Sequence, residues 1–359
     1  MEILSKKKIL DMLFKPLDVN NSELGLGFHV DNSCAYCTGC VCGYGGEIPP
    51  TTIFSSVEFW PAQSVVARDG IIALDSFMDQ HRHDLLKKLG WLRNYPVLDR
   101  SNWATSIECV YPAQNYFHFI VDVLPKVWLL HNPYFREKVI NLYVTKEISG
   151  QKELLLRALL PGNIRIRRVF RFSRVRAENY IYLPCLSVDR HGVNPGRIET
   201  SAGYWPKCYL NWFRSKMLED NEFKSKIADS AHRKIYISRA RARTRRFKNE
   251  PEVRRYLENA GFETVFLEDM NFYEQARLFS EAEVVVSQHG AGLTNIIYMN
   301  TGSVIEIFSS KEVYVYYQQC AKMIGLNYDK ICLDGGWKNK DVYMPIELLD
   351  GKLRNISRY

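Results

Sequence analysis

The sequence predicts an α/β protein of two domains, each built on a parallel sheet whose faces are covered by helices. Three observations predict it. Short apolar runs alternate with helix-like segments in both halves, the pattern of consecutive βα units. The stretch from Glu283 to Phe308, EVVVSQHGAGLTNIIYMNTGSVIEIF, reads as one complete strand–turn–helix–strand unit. At 359 residues the chain is too long for one small domain and fits two of ordinary size. Residues 187–201, SVDRHGVNPGRIETS, carry Gly, Pro and charge and mark the boundary between them.

Taken in order, residues 1–56 hold Cys34, Cys37, Cys40 and Cys42 among glycines. Cysteines two residues apart can clamp zinc, but a zinc site takes two such pairs separated by a longer loop. Small buried residues in a glycine-rich loop is the other account. From Val57 to Leu74 apolar runs alternate with turn signals, Asp69-Gly70 marking a hairpin, so the first domain opens on a small β-rich region. DQHRHDLLKKLG follows as a charged helix with Leu85, Leu86 and Leu89 inward and His81 and His83 solvated.

Asn115 to Leu130, NYFHFIVDVLPKVWLL, is more telling. As a helix it places Asn115, His118, Asp122 and Lys126 on one face, because they follow steps of three and four. Nearly everything else is aromatic or aliphatic, so the polar face is a narrow stripe. Either the helix is mostly buried with its stripe touching water, or it lines a cleft with His118 and Asp122 in hydrogen-bond reach. Pro125 cannot donate to the carbonyl of Val121, so a kink or break is expected there. A strand over Val139–Thr145, a helix over Gln151–Leu159 and strands over Ile164–Phe170 and Tyr180–Leu183 complete the first half.

In the second half Tyr204 to Leu218 forms a helix with Tyr209, Trp212 and Phe213 inward. The strand Lys234–Ser238 runs out into Arg239, Arg241, Arg243, Arg245 and Arg246. A helix from Pro251 to Ala260 stops at Gly261, and Thr264–Leu267 is a strand followed by a helix over Phe272–Ser280. Then comes the central unit. Val284, Val285 and Val286 suit a strand buried on both faces. His289, Gly290, Ala291 and Gly292 break it, Leu293 to Tyr298 leaves room for a short helix, and Ser303 to Phe308 is the second strand. Amides of Ala291, Gly292 and Leu293 at a helix N-terminus make an anion site, and a nucleotide diphosphate is the expected occupant. A glycine turn of this kind also serves packing alone; His289, at a strand's carboxyl end where open sheets bind ligands, favours binding.

Charge and composition narrow the partners. The formal charge of +8 comes from 48 Lys+Arg against 40 Asp+Glu. Much of the excess lies between Arg233 and Lys248, which favours an anionic ligand over a general nucleic-acid coat. Aromatics for stacking bases are absent between Arg239 and Arg246, so an RNA-binding reading of the arginine run is the weaker one. No apolar stretch of about 18 residues occurs, so no membrane span is expected. The N-terminal residues mix charge into every turn, unlike a signal peptide, and the nine cysteines are expected to be reduced thiols in a cytoplasmic protein. The sequon Asn355-Ile356-Ser357 carries no weight in that compartment. Trp205, Trp212 and Trp337 are candidates for stacking on a sugar, with core packing the alternative for the first two.

Four blocks carry a family resemblance: NYFHFIVDVLPK, YISRARARTRRFKNEPEV, Phe-Leu-Glu-Asp with Glu274-Gln275, and SEAEVVVSQHGAGLTNIIYMNTGSVIEIF. Together, in this order, they resemble the family 61 glycosyltransferases over roughly residues 57–310. The resemblance implies a GT-B architecture, two Rossmann-like domains facing a central cleft. It puts an acceptor-side domain at 1–195, a nucleotide-sugar domain at 196–330, and sends residues 331–359 back onto the first domain. It implies inverting transfer from a nucleotide sugar, a UDP-sugar such as UDP-xylose or UDP-N-acetylglucosamine, to a glycan or glycoconjugate acceptor. Ser238 and Arg239, with Arg243, match the donor-phosphate motif; His289, Gly290, Ala291, Gly292, Leu293, Thr294 and Asn295 match the pyrophosphate turn. Glu306 resembles the carboxylate that holds ribose hydroxyls. Asp122 is the expected base with His118 orienting it, or His118 is itself the base. No Asp-x-Asp occurs, so no metal cofactor is expected. A module of the same fold that binds nucleotide or carbohydrate without turnover is the alternative reading.

Overall fold

The computed structural model describes residues 52–61, 65–68, 71–74, 96–107, 115–170, 173–183, 207–219, 231–311, 314–335 and 341–356. The Cys34–Cys42 cluster, Asp69-Gly70, His81 and His83, the segment 187–201, Trp205, Trp337 and Ser357 lie outside these residues. The chain divides into two compact units, 1–191 and 192–359.

The first unit contains β1 (Thr52–Trp60), β2 (Val65–Arg68), β3 (Ile71–Leu74) and β4 (Val97–Ser106). They are joined in one sheet by β5 (Ile140–Val144), β6 (Ile164–Arg168) and β7 (Arg174–Tyr182), in the order β3-β2-β1-β7-β4-β5-β6. The expected parallel sheet is mixed. β7, β4, β5 and β6 run parallel, while β1 lies antiparallel to β7 and β2 and β3 continue outward antiparallel. Antiparallel neighbours need only short turns, which is all the spacing between β1, β2 and β3 provides.

β4 corrects the sequence reading, which placed no strand there. Its first half opens on Val97 and an exposed Leu98 and runs through exposed Asp99 and Arg100 to a buried Ser101. The run Ala104, Thr105 and Ser106 is buried at its far end, where Ala104 and Thr105 pair with both β7 and β5. β7 begins at Arg174, earlier than expected, because Val175 and Ala177 alternate into the core with exposed Arg176 and Glu178 between them. That core joins Phe59, Tyr143 and Tyr180, with the Phe59 and Tyr180 rings 4.5 Å apart.

The stripe-bearing helix α1 runs through three conformations: α over Tyr116–His118, π over Phe119–Val123, and α again over Leu124–Leu129. Asn115 starts it by accepting the Phe117 amide. Pro125 neither breaks nor sharply ends the helix; the turn before it widens, so that Leu124 donates to Phe119. Helix α2 (Gln151–Leu159) follows β5.

The second unit is a five-stranded, wholly parallel sheet. Its strands are β8 (Arg233–Ile237), β9 (Glu263–Val265), β10 (Ala282–Gln288), β11 (Ser303–Phe308) and β12 (Asn327–Cys332). Their order is β12-β11-β10-β8-β9. The connecting helices are α4 (Glu250–Asn259), α5 (Phe272–Ser280) and α6 (Tyr316–Ile324), with α3 (Lys207–Glu219) before the sheet and α7 (Ile346–Ile356) after it. Proline at its N-terminus starts α4, a reciprocal Asn271–Glu274 capping box starts α5, and left-handed Gly325 ends α6. Every residue of β11 is buried, as expected of an inner parallel strand whose apolar run is interrupted only by Glu306 after its opening Ser303.

Residues beyond β12 correct a further expectation. Leu333, Val342, Met344 and Leu349 are buried in one cluster with Tyr236, Val253 and Val286, so this segment packs on the second unit's own sheet. Its apolar side chains complete the core over α4.

Candidate functional site

The strand order of the second unit is that of a doubly wound sheet, and its connections reverse direction between β8 and β10. Ligands bind such sheets in the crevice outside the carboxyl ends at that switch point. The arginine loop leaves the end of β8 and the glycine turn leaves the end of β10, one on each side of it.

The two are in direct contact. A Cβ on Gly290 would lie 2.3 Å from Nη1 of Arg239 and 3.2 Å from its Cζ, so the guanidinium rests on the turn's backbone. Gly292 is likewise crowded, by Leu267 at 2.8 Å from the same hypothetical atom. Arg239 donates from Nε to the Arg245 carbonyl at 3.3 Å and from Nη2 to that of Thr244 at 3.2 Å. Neither acceptor is charged. Burial, with the neighbouring Arg245 charge, pushes its pKa below the ordinary arginine value. A half-buried cation without a carboxylate partner is a place for an anion.

The other loop arginines are spent differently. Arg241 pairs with Asp269 at 2.6 Å and Arg246 with Asp341 at 2.7 Å. Arg243 is exposed and makes no hydrogen bond among the described residues, so nothing ties it to the turn.

Ser238 is turned away from any phosphate: it is buried and donates to Glu250, whose second oxygen accepts Tyr236 Oη at 2.8 Å. Its oxygen also accepts the Ala240 amide at 3.2 Å, so it shapes the start of the loop.

Within the turn, residues 291–298 form a 3-10 helix. The Leu293 amide donates to the Gly290 carbonyl at 3.1 Å, which removes it from the expected anion site. Ala291 and Gly292 precede it and have no acceptor inside the helix. Leu293, Thr294 and Asn295 are fully buried, Thr294 beside Tyr317 at 3.4 Å and Asn295 donating to Gln275 at 2.8 Å. They are scaffold for the turn. His289, Ala291 and Gly292 keep some exposure.

Glu306 is 0% exposed, with one oxygen 2.5 Å from His289 Nδ1 and the other accepting Tyr328 Oη at 2.6 Å. One oxygen thus holds an imidazole and the other a tyrosine hydroxyl, and with no exposed surface the carboxylate faces internal partners rather than the ribose it was matched to. Burial, then Glu306, push the Tyr328 hydroxyl far above its usual pKa, so it remains a donor. Tyr314 and Phe308 stack with the His289 ring at centroid distances of 5.0 and 5.2 Å. Nδ1 and the ring plane are thus fixed, which leaves Nε2 as the nitrogen that can meet a ligand.

Sequence reasoning missed Tyr328 and Glu250, each distant in the chain from the residue it serves. No signal marks Tyr328. Glu250 was legible only as an acidic residue at a helix start.

On α1 the expected pair is formed: His118 Nδ1 lies 2.6 Å from Asp122 Oδ2. The His118 side chain is 20% exposed and that of Asp122 only 3%. Lys126 is buried as well, so the polar stripe meets solvent only at its Asn115–His118 end.

Among the described residues no group of three His, Cys, Asp or Glu is arranged to hold a metal, and no helix is long and apolar enough to cross a membrane. No curated protein matches the chain. The glycosyltransferase 61 family model matches residues 116–305, just over half of the 359. That span opens on the helix carrying His118 and Asp122, takes in the arginine loop and the glycine turn, and stops one residue short of Glu306. The chain belongs to the glycosyltransferase 61 family.

Proposed function

We propose that this glycosyltransferase moves a sugar, with inversion and without a divalent metal, from a UDP-sugar to a hydroxyl of a glycan or glycoconjugate. The observation that carries the donor assignment is Arg239 lying on Gly290 at the switch point of a doubly wound sheet, its hydrogen bonds reaching only neutral carbonyls and no carboxylate pairing with it among the described residues. In the reaction the acceptor oxygen attacks the anomeric carbon as the bond to the diphosphate oxygen breaks on the opposite face. Charge builds on the leaving diphosphate. Arg239 and the amides of Ala291 and Gly292 receive it, and His289, in the imidazolium form that Glu306 stabilises at Nδ1, donates from Nε2.

His118 is the better base on burial grounds, since a substrate hydroxyl can reach a side chain 20% exposed more readily than one 3% exposed. It takes the acceptor's proton, and Asp122 fixes the ring and stabilises the imidazolium that forms.

A panel of nucleoside diphosphate sugars, scored for thermal protection and for release of free nucleoside diphosphate with and without EDTA, tests this. One UDP-sugar should protect the protein and release UDP in chelator. Protection by none of them would refute the donor site; protection without turnover, with every acceptor class supplied, would favour the binding-module reading; strict dependence on manganese would refute the metal-free mechanism.

A further inference from the structure

We propose that Arg245 is a second cationic ligand of the donor diphosphate, and that the strap Asp341–Met344 is the device that positions it. The proposal rests on the donor reading above and deepens it.

Arg245 has φ +60, one of two non-glycine residues with positive φ among those described. A side chain in this left-handed region costs about 1–2 kcal/mol. Such conformers persist where the surroundings over-determine them, and they gather at functional sites. A glycine would be unstrained here, yet the chain carries an arginine.

The surroundings that impose this lie nearly a hundred residues on. The Arg246 amide donates to Asp341 Oδ1 at 2.9 Å, and its guanidinium reaches Oδ2 at 2.7 Å. The Val342 amide donates to the Arg246 carbonyl at 3.0 Å, and Val342 in turn accepts the Lys248 amide at 2.7 Å. Asn249 and Met344 exchange two bonds, each of 2.9 Å. Phe247, Val342 and Met344 anchor both strands of this clasp in the core. The strap lies outside the family-matched residues 116–305.

Held this way, the Arg245 carbonyl receives Arg239 Nε, and the Arg245 charge is felt by both Arg239 and Tyr317, the neighbour of Thr294 in the glycine turn. Arg245 Nε is buried without an acceptor, and no acidic side chain pairs with it among the described residues. The Arg245 charge disfavours that of Arg239, and although Glu268 acts on Arg239 through space, no carboxylate bonds either guanidinium among the described residues. A diphosphate supplies the missing negative charge and takes up both.

Calorimetric titration with UDP and with inorganic pyrophosphate, alongside thermal unfolding, tests this on the full chain. Arg245→Gly should melt no lower than wild type, since strain is relieved, while its affinity for both probes falls roughly 10- to 100-fold. Unchanged affinity would overturn the proposal. Should the glycine variant be destabilised, Arg245→Lys and Arg245→Gln decide: the lysine must bind more tightly than the glutamine, and equal affinities would overturn the assignment. Asp341→Ala should weaken pyrophosphate binding in the wild type and leave Arg245→Gln no weaker than it already is; additive losses would overturn the strap's role. A wild-type protein that binds neither probe would instead bring down the donor reading itself.

Discussion

Gly290→Ala separates a binding role for the glycine turn from a packing role. Gly290 has φ 175, an extended conformation open to alanine, so the backbone does not resist the change. The obstacle is Arg239. The new Cβ would stand 2.3 Å from Nη1, where ordinary contact begins at 3.4 Å, so the guanidinium must retreat by about 1 Å. It is able to do so: its two bonds, at 3.2 and 3.3 Å, are long and reach neutral carbonyls. The fold should survive with a loss of about 1 kcal/mol or less. The anion site should not survive. Moving a charge-assisted donor out of reach forfeits about 1.5–3 kcal/mol, roughly a 10- to 100-fold loss of UDP affinity. Gly302→Ala is the contrast, because there the new Cβ meets the Glu283 carbonyl oxygen at 2.2 Å with φ at +117. Backbone cannot step aside, and the expected loss is stability, about 1–3 kcal/mol. Titration calorimetry with UDP and scanning calorimetry on both variants provide the comparison. Wild-type UDP affinity in Gly290→Ala, or a melting point that falls as far as that of Gly302→Ala, would refute the reasoning.

Glu306→Gln keeps the shape of the buried side chain but removes the charge opposite His289. Turnover should drop about 10²–10⁴-fold in steady-state assays while UDP affinity changes little, and unaltered turnover would show that His289 needs no carboxylate. His118→Gln should lower turnover by a similar factor of about 10²–10⁴ without weakening UDP, and Asp122→Asn should follow it in the same direction. Retained transfer in a folded His118→Gln protein would remove it as the base. Acid stability tests the first strand of the second unit. Hydrogen bonds from Arg233 hold Glu263 below the usual glutamate range, and bonds from Arg277 and Arg233 outweigh burial to do the same for Glu281. Their stabilisation is therefore complete above the usual glutamate range and is lost as pH falls through the lowered values. Melting curves from about pH 6 down to about pH 3 should show a steeper decline in wild type than in Arg233→Gln, and parallel curves would refute the coupling.

The fold was legible where burial is symmetrical. β10 and β11 are enclosed on both faces, so their β-branched runs identified them without any partner in view. β4 was illegible for the opposite reason: Leu98, Asp99 and Arg100 are exposed with no apolar run to mark a strand, and its place in the sheet comes from ladders to β7 and β5. Residues 331–359 failed similarly, since a few scattered apolar side chains do not say which core they complete. Pro125 could be read as a disturbance, but whether a helix kinks or widens depends on the tight packing of Phe119 to Leu130 around it.

At the site, the legible part was chemistry gathered into consecutive residues: Arg239 after one strand, His289-Gly290 after another, His118 and Asp122 one turn apart. The illegible part was direction. Ser238 and Glu306 were matched to a donor, yet each faces an internal partner. Glu306 did carry a warning, because a carboxylate within the otherwise apolar SVIEIF run must be paired if it is buried. Finding that pair required the register between two parallel strands. Ser287 lies opposite Glu306, so His289, two residues further along, falls on the same face and within reach of it. A slip of one residue would put Gln288 opposite Glu306 and turn His289 to the other face. The identity of the residue that positions His289 is thus a property of strand pairing, which no window along the chain contains.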